Sequence, residues 1–167
     1  MTVLLKNIDA PKDIFLYDFY QKFPADECGF KNDAYGLSLE EFKNYLQKKQ
    51  DSAQGLNLKP NRVPSSEFIL YIDDKPAGIG RVRHYLTEEL LKHAGHISFA
   101  IAAEFRGHHY ATILLKLLLE KAKTFQLTKV LLTCNENNIG SYKTIEKNGG
   151  KLEKIENKER FYWIDLT

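Results

Sequence analysis

Hydrophobic and polar positions recur along this chain with two periods. Runs rich in β-branched and aromatic residues at 3–7, 67–72, 77–85, 97–102, 129–133, 151–155 and 160–166 have the make-up of strands, and the run at 97–102 that of a central one. Other segments repeat at three- and four-residue steps. Pro11 opens a helix in which Ile14, Phe15, Phe19 and Phe23 share a face, and Pro24 ends it. Ser38 and Glu41 form a capping box for a second helix, whose buried side is Leu39, Phe42, Tyr45 and Leu46. The strongest helical stripe is Tyr110, Ile113, Leu114, Leu117, Leu118, Lys121 and Phe125. Asn138 caps a further helix that contains Tyr142 and Ile145, and Gly149 sits where a left-handed residue ends it.

Polar punctuation joins these elements. Asp73-Asp74-Lys75-Pro76 closes one hairpin and Asn157 to Glu159 the terminal one, while residues 87–93 make a short helical excursion. Residues 24–37 and 51–66 are loops by composition; the second, about 16 residues long, is a candidate substrate wall, since loops of that length in a compact domain tend to be functional or mobile. The order β-α-α-β-β-β-α-β-α-β-β predicts an α/β fold: a mixed, mostly antiparallel sheet of about seven strands flanked by helices.

Composition narrows the class. The 167 residues, 43% hydrophobic, suffice for one domain spanning 1–167 with its own core. A formal charge of +2, with no basic stripe interleaved with aromatics, argues against a nucleic-acid partner. Two cysteines, Cys28 and Cys134, make no disulfide framework and fit a reducing compartment. The first residues lack a basic lead-in and cleavage site, and the most apolar stretch, 113–119, is interrupted by Lys116 and too short for a membrane span. A soluble, cytoplasmic protein with no membrane partner is expected. His93 and His96 flank Gly95 without a carboxylate at ligand spacing, so no metal site is expected either.

The informative junction is a strand, then Arg106-Gly107-His108-His109-Tyr110-Ala111, then a helix. A helix start exposes backbone N–H groups and the positive end of the helix dipole, which anions seek, and a pyrophosphate could dock there. The plainer alternative is an ordinary basic strand-to-helix turn.

EFRGHHYAT resembles the phosphate-binding segment R/Q-x-x-G-x-G/A of the GNAT N-acetyltransferases, with Arg106 first and Ala111 last; the glycine position is held by His109. Asn138-x-x-Ser141 followed by EKNGG at 146–150 is similar to the family's second acetyl-CoA segment. With the closing RFYWI, the likeness points to a bacterial subgroup of the family and covers roughly residues 67–164. The resemblance implies a GNAT-like fold with a splayed central strand pair and acetyl-CoA as co-substrate. It implies that the strand around Phe99, Ala100, Ile101 and Ala102 binds the pantetheine arm along an exposed edge. Gly107, His108, His109, Tyr110, Ala111 and Thr112 would hold the pyrophosphate with Arg106, and Asn138 and Ser141 would touch the cofactor, although capping and local back-bonding account for both residues equally well.

The implied chemistry is direct attack of an amine on the thioester in a ternary complex, with a main-chain N–H near Ile101 as oxyanion donor. The family's tyrosine acid, seven residues after the asparagine, is replaced by Ile145, leaving Tyr142, Cys134 or water to protonate the thiolate. His96, or His84 on the neighbouring strand, is the candidate general base. The acceptor would be a small-molecule or peptide amine. The alternative is a non-catalytic acyl-CoA-binding or regulatory module of the same fold. Exposed edges of the terminal hairpin offer a route to a homodimer.

Overall fold

A computed structural model describes all 167 residues. The chain opens with β1 (Val3–Asn7), a 3-10 turn (Lys12–Leu16) and α1 (Tyr17–Gln21). A two-residue hairpin, β2 (Asp26–Glu27) with β3 (Phe30–Lys31), and α2 (Leu39–Ala53) follow. Next come β4 (Ser65–Ile72), β5 (Lys75–Arg83), α3 (Glu88–His93), β6 (Ile97–Ile101) and α4 (Tyr110–Thr124). The chain ends with β7 (Lys129–Asn135), α5 (Ile139–Lys147), β8 (Lys151–Glu156) and β9 (Glu159–Asp165).

The main strands form two antiparallel sheets, β1-β4-β5-β6 and β7-β9-β8. No ladder joins β6 to β7, so the expected splay is present between the two sheets. Side chains alternate across each strand, and the central strands β4 and β5 of the first sheet are buried on both faces. Phe68, Leu70 and Ile72 of β4 join Leu114, Leu115 and Leu118 of α4 in one core. Ile69 and Tyr71 meet Tyr20 of α1, Phe23 just beyond it, and Phe42 and Leu46 of α2 in another.

Several sequence expectations need correction. The helix expected from Pro11 is divided equally between a 3-10 turn and α1, and Phe15, placed on its buried face, lies in the 3-10 half and is exposed because three residues per turn rotate it away from the sheet. Leu39 is likewise exposed: it lies in the first turn of α2, ahead of the stretch covered by the sheet. The α4 face is wider than the stripe and shifted, with Leu115, Leu119 and Ala122 buried beside Leu114 and Leu118, since β5 and β6 cover it on one side and α5 on another. Lys121 lies over the Phe68 ring, and Phe125 stacks on His84. The second loop is shortened at both ends to residues 54–64 by the extra turn of α2 and the early start of β4. The first loop carries the small β2-β3 hairpin.

Candidate active site

The free edge of β6 follows from its ladder with β5. Arg83 N–H donates to the His96 carbonyl (2.7 Å) and Ala102 N–H to the Ala77 carbonyl (2.8 Å). Antiparallel strands alternate at every residue, so Ser98, Ala100 and Ala102 turn main-chain groups toward β5, as the His96 carbonyl does just before the strand begins, while Ile97, Phe99 and Ile101 turn theirs into the splay. Ala100 therefore leaves the set of expected edge groups: its N–H and C=O belong to the β5 ladder, opposite Ile79.

One stitch closes the splay at its base. His96 N–H donates to the Leu131 carbonyl (2.7 Å), and the Leu131 N–H donates to His96 Nδ1 (2.9 Å). Gly95 permits this approach: a Cβ built there would lie 2.5 Å from the Leu131 oxygen. His96 is buried, and burial with the nearby Arg83 charge lowers its pKa to about 4. With Nδ1 accepting, the neutral ring carries its proton on Nε2. The candidate base is thus a strand-joining residue with its basic nitrogen occupied. His84 is bonded to Ser66 Oγ (2.9 Å) and stacked on Phe125, on the α4 side of the sheet.

At the other end of β6, Gly107 (φ +84°) and His109 (φ +62°) both adopt left-handed backbone, swinging the chain into α4 with no side-chain cap. The amides of Tyr110, Ala111 and Thr112 therefore lack intrahelical acceptors, the first bond of the helix being that of Ile113 N–H to the His109 carbonyl. His108 and His109 are exposed beside them. Arg106, expected to reach an anion, instead donates Nε to the Ile101 carbonyl (3.1 Å) and pairs with Glu27 (2.6 Å), which ties the β2-β3 hairpin to the end of β6.

Across the splay, Asn138 Oδ1 accepts from Ser141 N–H (3.2 Å) and caps α5. Cys134 is buried; burial raises its thiol pKa despite the Ser141 hydroxyl beside it, so it stays protonated near neutrality. The Arg160 guanidinium covers the Tyr142 ring at 4.0 Å, and Ile145 is buried against Gly150. The structure thus gathers Cys134, Asn138, Ser141 and Tyr142 about the start of α5, while Ile97, Phe99 and Ile101 lie on β6 and the free amides at the start of α4. No group of three or more His, Cys, Asp or Glu side chains is placed to hold a metal, and no helix is long and apolar enough to cross a membrane.

A sequence model of the Acetyltransferase (GNAT) family matches residues 31–150, well over half of the chain. The chain belongs to the GNAT acetyltransferase family. A search of curated proteins finds no match. Among solved structures, the chain is similar to RimL, a ribosomal L7/L12 alpha-N-protein acetyltransferase in complex with coenzyme A (TM-score 0.73, 17% identity, covering 99% of this chain and 94% of that one). It is also similar to a GNAT acetyltransferase from Streptococcus pneumoniae (0.67, 16%, 99% and 100%) and to Campylobacter jejuni N-acetyltransferase PseH with acetyl coenzyme A (0.64, 12%, 99% and 100%). At these identities the likeness is one of fold.

Within the GNAT frame, the departure at His109 acquires a physical reading. The position is left-handed, where glycine is free of strain and histidine is tolerated at a cost, whereas a β-branched side chain fits poorly. His109→Gly is expected to leave stability within about 1 kcal/mol of wild type, and His109→Val to lower it by about 1–2 kcal/mol. Urea melts of the three proteins check this; equal stability for His109→Val would show that the turn relaxes to accommodate any residue.

Sequence reasoning missed a buried charge cluster on the helix side of the first sheet. Glu67 accepts from Tyr20 OH (2.6 Å) and Tyr45 OH (2.9 Å) on Oε2 and from Arg81 Nε (2.8 Å) on Oε1, where Arg81 also pairs through its second nitrogen at 2.7 Å. Arg81 reaches on to the Lys31 carbonyl and lies over Phe30, fastening the small hairpin from beneath. A carboxylate opening the apolar run EFILYI, with an arginine in the paired strand, was the available signal.

Proposed function

We propose that this protein transfers the acetyl group of acetyl-CoA to the amine of a small molecule or peptide by direct attack. The carrying observation is the splay: one strand offers unpaired main-chain groups at Ile97 and Phe99 and a free N–H at Ile101, and the chain leaving that strand turns into a helix start with free amides. Peptide-like amides of a pantetheine arm match such an edge as an added strand would, and a pyrophosphate matches the amides of residues 110–112. PseH is described with acetyl coenzyme A and RimL with coenzyme A, which supports the same ligand here.

In this reading each residue has a limited task. The Ile101 N–H, whose own carbonyl is held by Arg106, donates to the thioester oxygen as it gains charge. His96 keeps the two strands joined below the reacting group and takes no proton. The acceptor enters as its free amine, so kcat/KM should rise with pH toward the acceptor's own pKa and show no step from His96 near pH 6.5. A CoA thiolate leaves readily, so Ile145 in place of a tyrosine acid does not stop turnover. Cys134, protonated, and Tyr142 remain the side chains about the start of α5 able to donate a proton.

Acetyl-CoA at about one hundred times its Kd should add about 2.7 kcal/mol, a rise in Tm of roughly 5–10 °C for a chain of this size. Asn138→Ala should cost about 1 kcal/mol of cap stability and additionally weaken acetyl-CoA binding. An unchanged Tm with acetyl-CoA would remove the proposal. A raised Tm without thiol release across a panel of small amines and peptides would leave the second reading, an acyl-CoA-binding module, which His109 and Ile145 favour.

A further inference from the structure

We propose that β8 is a docking edge for a second copy of this chain, pairing with itself as an antiparallel ladder about a two-fold axis between Glu153 and Lys154. β8 is the outer strand of its sheet, and all six of its residues, Lys151-Leu152-Glu153-Lys154-Ile155-Glu156, are exposed. That sequence is complementary to its own reverse. In the two-fold register Lys151 meets Glu156, Leu152 meets Ile155 and Glu153 meets Lys154, each of another copy. Every charge finds its opposite and every apolar side chain another. Opposite charges and apolar residues facing one another across strands stabilise a ladder, whereas like charges destabilise it.

The hydrogen-bonding parity agrees. Leu166 N–H bonds the Thr128 carbonyl, so residues 160, 162 and 164 of β9 turn main-chain groups to β7, and residues 159, 161 and 163 turn theirs to β8. Leu152 lies opposite Tyr162 and Ile155 opposite Arg160, so both residues direct their own N–H and C=O outward from the sheet. Three residues apart, they could not do so in a regular strand. The register shift between Leu152 and Lys154 inserts the extra residue that brings both outward and puts both side chains on one face. In the two-fold pair these outward groups meet each other, and because both strands carry the same extra residue, their registers match. Leu152 and Ile155 of the two copies form one apolar patch, and the four charged residues of each copy occupy the opposite face, where Lys154 already covers Phe161 and Glu153 accepts from the Trp163 indole.

A bulge and charges also serve to keep sheet edges apart. A strand guarding itself would carry charge that repels its copy, and β8 carries two lysines and two glutamates, with no net charge. Six residues span only about 20 Å, which makes the interface a small one, and the dimer is expected to be concentration-dependent and weakened by salt.

Sedimentation velocity over a concentration series, at low and high salt, tests this independently of any catalytic role. Wild type should pass from monomer to dimer; Glu153→Lys alone and Lys154→Glu alone should each weaken dimerisation about tenfold or more, since two symmetric pairs turn repulsive. An equimolar mixture of the two variants should dimerise again, because each reversed side chain then faces its opposite, and the double variant carrying both reversals should dimerise as wild type does. Changes within one chain cannot produce rescue on mixing. A wild type monomeric up to about 1 mM, a dimer indifferent to both single reversals, or no rescue in the mixture would each overturn the proposal.

Discussion

Glu67→Ala is expected to destabilise the protein by about 3–5 kcal/mol, because it leaves the Arg81 guanidinium, only 13% exposed, without its counter-charge. For a chain of this length that is a fall in Tm of roughly 10 °C or more. Two tyrosine hydroxyls lose their acceptor as well. Replacing Glu67 and Arg81 together by Leu and Met should recover part of the loss, since no unpaired charge then remains inside. A single variant as stable as wild type would mean that solvent reaches Arg81. The same cluster sets an acid limit. Burial alone would raise the Glu67 pKa, but Arg81, Lys49 and the Tyr20 hydroxyl outweigh it and hold it at about 2. Below its ordinary value near 4.5, the unfolded chain takes up a proton that the folded one refuses, so this stabilisation is complete above that pH and fades as pH falls toward 2. His96 acts in the same direction at higher pH. Its folded pKa of about 4 lies under the ordinary 6.5, so stability falls as pH drops between those values. Equilibrium melts from pH 8 to pH 3 should therefore show a first decline below 6.5 that continues below 4.5, where Glu67 adds to it, and Glu67→Gln should show a shallower decline below 4.5 than wild type.

How far the fold was legible depended on which interactions are local. Strands declared themselves where composition was strong, at 67–72, 97–102 and 129–133, and the Ser38 and Asn138 caps were read correctly because a cap is satisfied within three residues. The errors lie where tertiary packing decides. Phe15 and Leu39 follow the helical period yet face solvent, and Leu115 and Leu119 break the stripe yet are buried where α4 packs on β5, β6 and α5. The β2-β3 hairpin has only two residues per strand and is held from outside, by Arg106 to Glu27 and by Arg81 to the Lys31 carbonyl. No window of sequence contains those partners.

The candidate site divides in the same way. The glycine turn and helix start at 107–110 were legible because a local backbone conformation makes the chemistry, and the left-handed φ of His109 lies where the family pattern has glycine. Side-chain roles were not legible. Arg106 and His96 carry the residue types for anion and proton chemistry, but the first is engaged by Glu27 and Ile101 and the second by Leu131, 35 positions away. The free edge of β6 depends on hydrogen-bond parity, which is fixed by its register with β5, and this is what assigns Phe99 and Ile101 to the splay and Ala100 to the ladder.

The junction of the two sheets gives the last large effect. Gly95→Ala is expected to cost about 3–5 kcal/mol, a value more typical of a core deletion than of one added methyl group. Its Cβ would stand 2.5 Å from the Leu131 oxygen and 3.1 Å from the Leu132 Cα, main-chain atoms that cannot swing aside. Relief requires the start of β6 to move away from β7. Such a movement strains both bonds of the His96–Leu131 stitch, at 2.7 and 2.9 Å, and the Arg83 bond to the Gly95 carbonyl at 2.6 Å. Loss of the two stitch bonds, at about 1 kcal/mol each, and a strained contact in a packed interior worth another 1–3 together give the stated range. Gly140, inside α5 with nothing within 4 Å of its built Cβ, is the matched control: Gly140→Ala should be neutral or stabilise by up to about 1 kcal/mol through helix propensity. The two variants also separate support from stability under the proposed reaction. Widening the base of the splay shifts the edge that carries Ile97, Phe99 and Ile101, so Gly95→Ala should weaken acetyl-CoA binding at temperatures where the variant is still fully folded, while Gly140→Ala should bind as wild type. Gly95→Ala with wild-type stability would mean that the strands separate there at no cost, and His96 would then be no more than one buried histidine among the core residues.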